Sequence, residues 1–168
     1  MPSAVAQAAG AFGLNTGSLR ALGGNSGSAW GAGDQVLRVG RPAVIDAEVA
    51  ASAAAAAVLP VPAALDRVEV GDMSAVLLEM LPGRPAADFA RGRPSLARAA
   101  GQACGAVHAL LADVRTPPAL RTVPGPGVPT PVGQACVVHL DLHPFNILTG
   151  TRRAVSYTHL TLPTNREV

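Results

Sequence analysis

The hydrophobic and polar positions of this chain change their period along its length, and the changes separate predicted strands from predicted helices. Short apolar or alternating stretches between turn residues indicate strands, and apolar residues spaced three and four apart indicate helices. The predicted helices cover residues 3–13, 43–58 and 91–114. The predicted strands are one beginning at Leu19, a short one around Trp30, 35–39, 66–70, 74–80, one ending near His139, and 146–150.

Turn and capping residues mark the boundaries of these elements. Gly-Asp pairs at 33–34 and 71–72 predict tight turns between neighbouring strands. Ser3 and Ser95 stand where a side-chain hydroxyl could cap the first and third helices. Proline and glycine are so frequent in 116–133 that this stretch predicts a loop.

The third predicted helix has one apolar face. We expect this face to be buried, and we expect His108, which lies on the same largely apolar helix, to be a core histidine. The predicted face consists of Leu96, Ala100, Ala103, Val107, Leu110 and Val114.

The order of the elements predicts an α+β fold with two lobes. An antiparallel sheet that carries one helix forms the first lobe, and a helical part follows it. The lobes are predicted at 1–82 and 83–154.

Composition narrows the possible partners. The net charge of +2 is too small to indicate binding to nucleic acid or to an anionic membrane. The apolar stretch at 49–65 is interrupted by prolines, so we expect no membrane span. The N-terminus lacks a basic region followed by a long apolar core, so we expect no secretory signal and a cytoplasmic location. Cys104 and Cys136 have no metal-binding spacing. All 13 basic residues are arginines, so arginine must fill any role that commonly needs lysine.

A dense group of polar residues lies in the apolar stretch VVHLDLHPFNIL at 137–148. Burial of such groups is costly unless they are paired or have a chemical role. His139, Asp141 and Asn146 have the spacing H-x-D-x-x-x-x-N, which matches the catalytic loop of the protein-kinase fold. His139, Asp141 and His143 also have the spacing H-x-D-x-H, with which a metal-dependent hydrolase could bind zinc.

The loop "HLDLHPFNIL" resembles that of the aminoglycoside phosphotransferase and choline kinase group. "VLRVGRP" is similar to the third strand of that group, "LLEMLPGRP" to its hinge, and "ARAAGQACGAVHAL" to a helix of its second lobe. Matching segments are spread from about Leu19 to Ala154. The resemblance implies a two-lobed protein-kinase-like fold, with an antiparallel sheet and helix in the first lobe and an incomplete helical second lobe.

The resemblance also implies a function and a set of site residues. The function is transfer of the γ-phosphate of ATP, with Mg²⁺, to a hydroxyl of a small molecule such as an aminoglycoside, an amino alcohol or a sugar. Asp141 would act as the base, with His139 as a further catalytic residue, and Asn146 would bind the metal. Arg38, paired with Glu48, would hold phosphates. The other residues implied to bind the nucleotide are Gly24, Ser26, Gly27, Ser28, Glu79 and Leu81.

The sequence departs from this family in four places. They are the third strand, the loop GGNSGSAWG, which is not a clean G-x-G-x-x-G, the loop at 116–133, which is shorter than the helical insert common in the group, and the stretch after Asn146. The third strand offers Arg38 where the family usually has lysine, although arginine can also bind phosphate through two hydrogen bonds. No aspartate follows Asn146, whereas the family has a second acidic metal ligand one strand later. We therefore expect this chain to be inactive as a kinase by itself.

The last residues, 155–168, differ in composition from the rest and resemble a translated sequencing adapter. We expect this tail to be non-native, and we expect its strand-forming residues to pair with the strand at 146–150. Besides the kinase and the hydrolase, two interpretations stay open for the polar loop. The chain could be a non-catalytic kinase-like binding protein, or a His-Asp pair could merely stabilise the loop.

Overall fold

A five-stranded antiparallel sheet is the largest element of the computed structural model, which describes residues 2–22, 28–91, 93–118, 144, 146–149 and 154–157. Its strands are β1 (Arg20–Ala21), β2 (Ala29–Ala32), β3 (Gln35–Gly40), β4 (Ala64–Val70) and β5 (Met73–Glu79). They lie in the order β1-β2-β3-β5-β4. The helices are α1 (Ser3–Ala11), α2 (Pro42–Ala55), α3 (Ala86–Ala90) and α4 (Pro94–Ala112). The predicted α+β class with an antiparallel sheet is confirmed, while the two-lobed kinase-like arrangement stays a prediction.

The two Gly-Asp turns form as predicted. Gly33 and Gly71 adopt φ values of 65° and 64°. Glycine reaches this left-handed region without the steric cost that a Cβ imposes, so the turns reverse the chain tightly. The turn at Gly33 joins β2 to β3, and the turn at Gly71 joins β4 to β5.

Alternate side chains of β3 lie on opposite faces of the sheet. Leu37 and Val39 belong to a core that includes Val5 and Ala8 of α1. Arg38, which lies between them, faces the other side and reaches Glu48 of α2. The period of two along a strand explains this division. The sheet therefore carries α1 on one face and α2 on the other.

A second core joins α2 to the helices that follow the sheet. Ala51 and Ala55 of α2 share it with Val107 and Leu111 of α4 and with Ile147. Ile147 lies in a short strand, β7 (Ile147–Thr149), which pairs antiparallel with β6 (Arg84–Pro85). This core includes residues from both of the predicted lobes. The predicted division at residue 82 stays a prediction.

The predicted helix caps are wrong. α1 begins at Ser3 itself, and α4 begins at Pro94, before Ser95. Neither helix has a side-chain hydrogen bond at its cap. Proline suits the first helical position because its fixed φ is helical and its missing N–H has no partner to lose there. Pro94 therefore starts α4 two residues earlier than a Ser95 cap requires.

The predicted buried face of α4 is partly wrong. Leu110 is 42% exposed, whereas its neighbour Leu111 is 1% exposed. His108 is exposed and is therefore not a core histidine. The buried positions Ala100, Val107, Leu111 and Val114 follow intervals of seven, four and three. The face turned inward is the one that meets α2 and β7.

The tail pairs with the strand before it. β8 (Ala154–Tyr157) lies antiparallel to β7, with Ile147 opposite Tyr157. The expected pairing is confirmed, while the adapter origin of the tail stays a prediction. In the part of the chain that the structure describes, no helix combines the length and apolar character needed to cross a membrane.

Candidate functional site

Arg38 and Glu48 form an ion pair between the sheet and α2. The Nε of Arg38 donates to Oε2 of Glu48 at 2.9 Å, and Nη2 donates to Oε1 at 2.5 Å. The side chains are 6% and 12% exposed. The predicted pair is confirmed, and it is not a solvated surface pair. Its geometry is the two-bonded arrangement that arginine forms with a carboxylate.

Ser28 also contacts Arg38. Its hydroxyl accepts a hydrogen bond from Nη1 of Arg38. Its backbone carbonyl accepts one from the amide of Val39 at 3.0 Å, and the next residue, Ala29, lies opposite Arg38 in the strand register. Three of the predicted nucleotide-binding residues, Ser28, Arg38 and Glu48, are thus brought together. Their role in binding a nucleotide stays a prediction.

A second ion pair joins α2 to the sheet on its exposed flank. Arg67 of β4 contacts Asp46 of α2 and donates to Glu69 at 2.8 Å. The hydroxyl of Ser74, which is fully buried, donates to Glu69 at 2.6 Å. The Ser74 bond and then the Arg67 bond lower the pKa of Glu69, and the bonds to Glu69 and Asp46 raise the pKa of Arg67. Both arginine–carboxylate contacts together fix the rotation of α2 against the sheet.

The segment that resembles a hinge follows β5. Glu79 is the last residue of β5, with an exposed side chain, and Leu81 is half-buried. The amide of Glu79 donates to the carbonyl of Ala63 at 2.9 Å, and the amide of Met80 donates to the carbonyl of Asp34 at 2.9 Å. These bonds tie the hinge backbone to the residues that immediately precede β4 and β3. A ligand that seeks amide donors here would not find those of Glu79 and Met80 available.

The side chains of Leu22 and Met80 lie close to Gly31, a contact that sequence analysis missed. A Cβ added at Gly31 would lie 3.0 Å from Cδ2 of Leu22 and 3.5 Å from Cε of Met80. Leu22 follows β1 and is 39% exposed. An isolated glycine inside a strand is the available signal, because it often marks such an approach. The hinge and the hairpin of β1 and β2 therefore meet through apolar side chains.

Asn146 immediately precedes β7. Its side chain is half-buried, and the next residue, Ile147, is fully buried in the core shared with α2. The packing of Ile147 fixes the backbone of Asn146 relative to the helix that carries Glu48. Within the predicted catalytic loop at 137–148, the structure describes Pro144 and residues 146–148.

The remaining predicted site residues lie outside the described residues. They are Gly24, Ser26, Gly27, His139 and Asp141. His143, which belongs to the alternative zinc cluster, lies outside them as well. Within the described ranges no three His, Cys, Asp or Glu side chains are grouped so that they could hold a metal ion. The zinc interpretation of H-x-D-x-H is therefore untested.

Sequence analysis also missed the Asp46–Arg67 contact and the bond from Arg38 to Ser28. Both join residues of different elements. The signal for the first was weak: Asp46 and Arg67 are charged residues on a predicted helix and strand that could equally have been solvated. For the second, Ser28 was identified only as a loop hydroxyl able to contact phosphate.

Comparison with known proteins does not assign this chain to a family. The chain matches no family model, and no curated protein matches it significantly in sequence. The chemistry that the site supports must therefore be inferred from its own residues, which are an arginine held by a carboxylate, a serine hydroxyl beside it, and an asparagine before β7.

Proposed function

We propose that this chain carries the nucleotide-binding part of a small-molecule phosphotransferase, an enzyme that transfers the γ-phosphate of ATP, with Mg²⁺, to a hydroxyl such as that of an aminoglycoside, an amino alcohol or a sugar. The chain by itself is expected to be inactive. The observation that carries the proposal is the buried ion pair of Arg38 and Glu48, with the hydroxyl of Ser28 on the same guanidinium. This is the pair that the resemblance implied, on the strand and the helix where it was expected.

The pair supports the proposal because phosphoryl transfer depends on fixed positive charge. Catalysis of this reaction is mostly positioning and electrostatic stabilisation of the phosphates. A free arginine side chain would lose conformational entropy on binding, whereas Glu48 already holds Arg38 through two hydrogen bonds. Arg38 also lies next to Ser28, at the end of the stretch GGNSGS, whose amides and hydroxyls suit phosphate oxygens.

The described residues fit a nucleotide with magnesium in part. The guanidinium of Arg38 suits phosphate, and the amide oxygen of Asn146 is a hard ligand of the kind that magnesium prefers. Magnesium in such sites is held by few protein ligands, because substrate phosphates and water supply the rest. When bound, the metal would neutralise charge on the phosphates. Asp141 would accept the proton of the acceptor hydroxyl.

Direct binding tests the proposal. Titration of the chain with ATP and Mg²⁺ should give saturable binding in calorimetry. Arg38→Ala should abolish the binding, while Arg38→Lys, which keeps the charge, should retain part of it. Arg67→Ala is the matched control, because Arg67 also pairs with a carboxylate of α2 but on the exposed flank. Equal loss in the two alanine variants would contradict the proposal.

Two further variants separate the roles in the predicted loop. Asn146→Ala should weaken the binding of ATP only when Mg²⁺ is present, because Asn146 is proposed to contact the metal. Asp141→Asn should leave the affinity nearly unchanged, because its role is in proton transfer. Tight binding of zinc that His143→Ala abolishes, without binding of ATP and Mg²⁺, would favour the metal-dependent hydrolase instead.

A further inference from the structure

We infer that the hydroxyl of Ser28 holds the place of a phosphate oxygen on Arg38, so that an incoming phosphate chain must displace it. Ser28 and Arg38 then form a latch that is closed without an anion and open with one. The inference rests on the proposed function for the identity of the anion, a nucleotide phosphate chain. It changes the predicted role of Ser28 from a phosphate ligand to a competitor of phosphate.

The geometry of the guanidinium gives the reason. Glu48 occupies the edge formed by Nε and Nη2. A second oxyanion that binds Arg38 through two hydrogen bonds must use the other edge, formed by Nη1 and Nη2. The hydroxyl of Ser28 is bonded to Nη1. Two-bonded phosphate and Ser28 therefore compete for the same end of Arg38.

The backbone around Ser28 makes the displacement local. The carbonyl of Ser28 is bonded to the amide of Val39, and Ala29 is paired with Arg38 in the strand register. Both interactions belong to the backbone, so they persist when the side chain turns. Rotation of the Ser28 side chain about its χ1 angle is enough to remove the hydroxyl from Nη1, and such rotations are fast. The latch can open without separating β2 from β3.

Thermodynamic linkage gives two expectations for a variant without the Ser28 hydroxyl, one for its stability and one for its affinity for the anion. The Ser28 bond stabilises only the anion-free state, so its removal should destabilise that state and favour anion binding by the same factor. Loss of a partly screened hydrogen bond to a charged group changes an equilibrium constant about tenfold. If the Ser28 hydroxyl bound the phosphate instead, its removal would weaken the binding of the anion.

The probe is inorganic tripolyphosphate without a nucleoside, titrated into the whole chain by calorimetry. Ser28→Ala should bind it about tenfold more tightly than the wild type, and Ser28→Thr, which keeps a hydroxyl, should bind it like the wild type. Ser18→Ala is the matched control, because the Ser18 hydroxyl contacts only the carbonyl of Asn15 among the residues described. It should leave the affinity unchanged.

Thermal unfolding supplies the second readout. Ser28→Ala should unfold at a lower temperature than the wild type without the anion, and the two should unfold alike at saturating tripolyphosphate. Weaker or unchanged binding by Ser28→Ala would overturn the latch, and so would absence of binding by every variant. If the latch behaves as expected but ATP with Mg²⁺ binds no better than tripolyphosphate, the proposed phosphotransferase fails while the latch stands.

Discussion

Arg38 and Glu48 connect the middle strand of the sheet to α2 through two hydrogen bonds, and both side chains are withdrawn from water. Burial of two charges is costly, and their attraction offsets this cost only when the geometry is good and both partners are present. The two-bonded geometry meets the first condition. The pair therefore fixes α2 to the sheet whether or not it also contacts a ligand.

Removal of one partner of this pair should strongly destabilise the fold. Glu48→Ala leaves the guanidinium of Arg38 buried with its charge uncompensated, and we expect a loss of about 3 kcal/mol in the free energy of unfolding. Urea unfolding followed by circular dichroism measures it. Asp46→Ala is the control, since Asp46 pairs with Arg67 at the exposed flank, and it should cost less than about 1 kcal/mol. Similar losses in both variants would show that burial does not distinguish the pairs.

Two adjacent leucines test which face of α4 is buried. Leu111→Ala removes a side chain that is 1% exposed in the core shared with α2, and it should cost about 3 kcal/mol. Leu110→Ala removes a side chain that is 42% exposed, and it should cost less than about 1 kcal/mol. The two variants have the same composition and helix propensity, so the difference in urea midpoint reports burial alone. The reverse order would restore the face predicted from the sequence.

Glu69 should make the free energy of unfolding depend on pH in the acidic range. Its folded-state pKa lies below its ordinary value, first because of the Ser74 bond and then because of the Arg67 bond. Its contribution to the free energy of unfolding is therefore complete above the ordinary glutamate pKa. This contribution is lost as the pH falls through the lowered pKa of the folded state. The difference in unfolding free energy between wild type and Glu69→Gln should shrink as the pH falls through this range. Ser74→Ala should raise the pKa of Glu69 in a carboxyl-detected NMR titration, and an unchanged value would contradict the assigned cause.

Cys104 should react slowly with alkylating reagents. Partial burial raises the pKa of its thiol, and the thiolate is the reactive form. In a Cys136→Ser variant, which leaves Cys104 as the only thiol, iodoacetamide at neutral pH should modify the folded chain more slowly than the same chain in urea. Mass spectrometry gives both rates. Equal rates would show that the folded chain does not protect this thiol.

Elements that depend only on residues near each other in the chain follow directly from the sequence. The turns at Gly33 and Gly71 need a residue that accepts a positive φ, and the alternation of Leu37, Arg38 and Val39 needs only the strand period. These properties belong to a few consecutive residues, so a linear pattern contains them. The resemblance added one longer-range contact, between Arg38 and Glu48, because that pair belongs to the pattern of a family and not to the spacing itself.

Contacts between side chains of different elements depend on how the folded chain packs. The hydroxyl of Ser28 reaches Arg38 because β2 and β3 pair in the register that puts Ala29 opposite Arg38. Leu111 is buried in place of Leu110 because α4 turns toward α2 and β7, and a helix with apolar residues most of the way around offers two faces to choose from. Register and helix rotation are set by packing among distant residues, and a one-residue change in either alters every contact that follows.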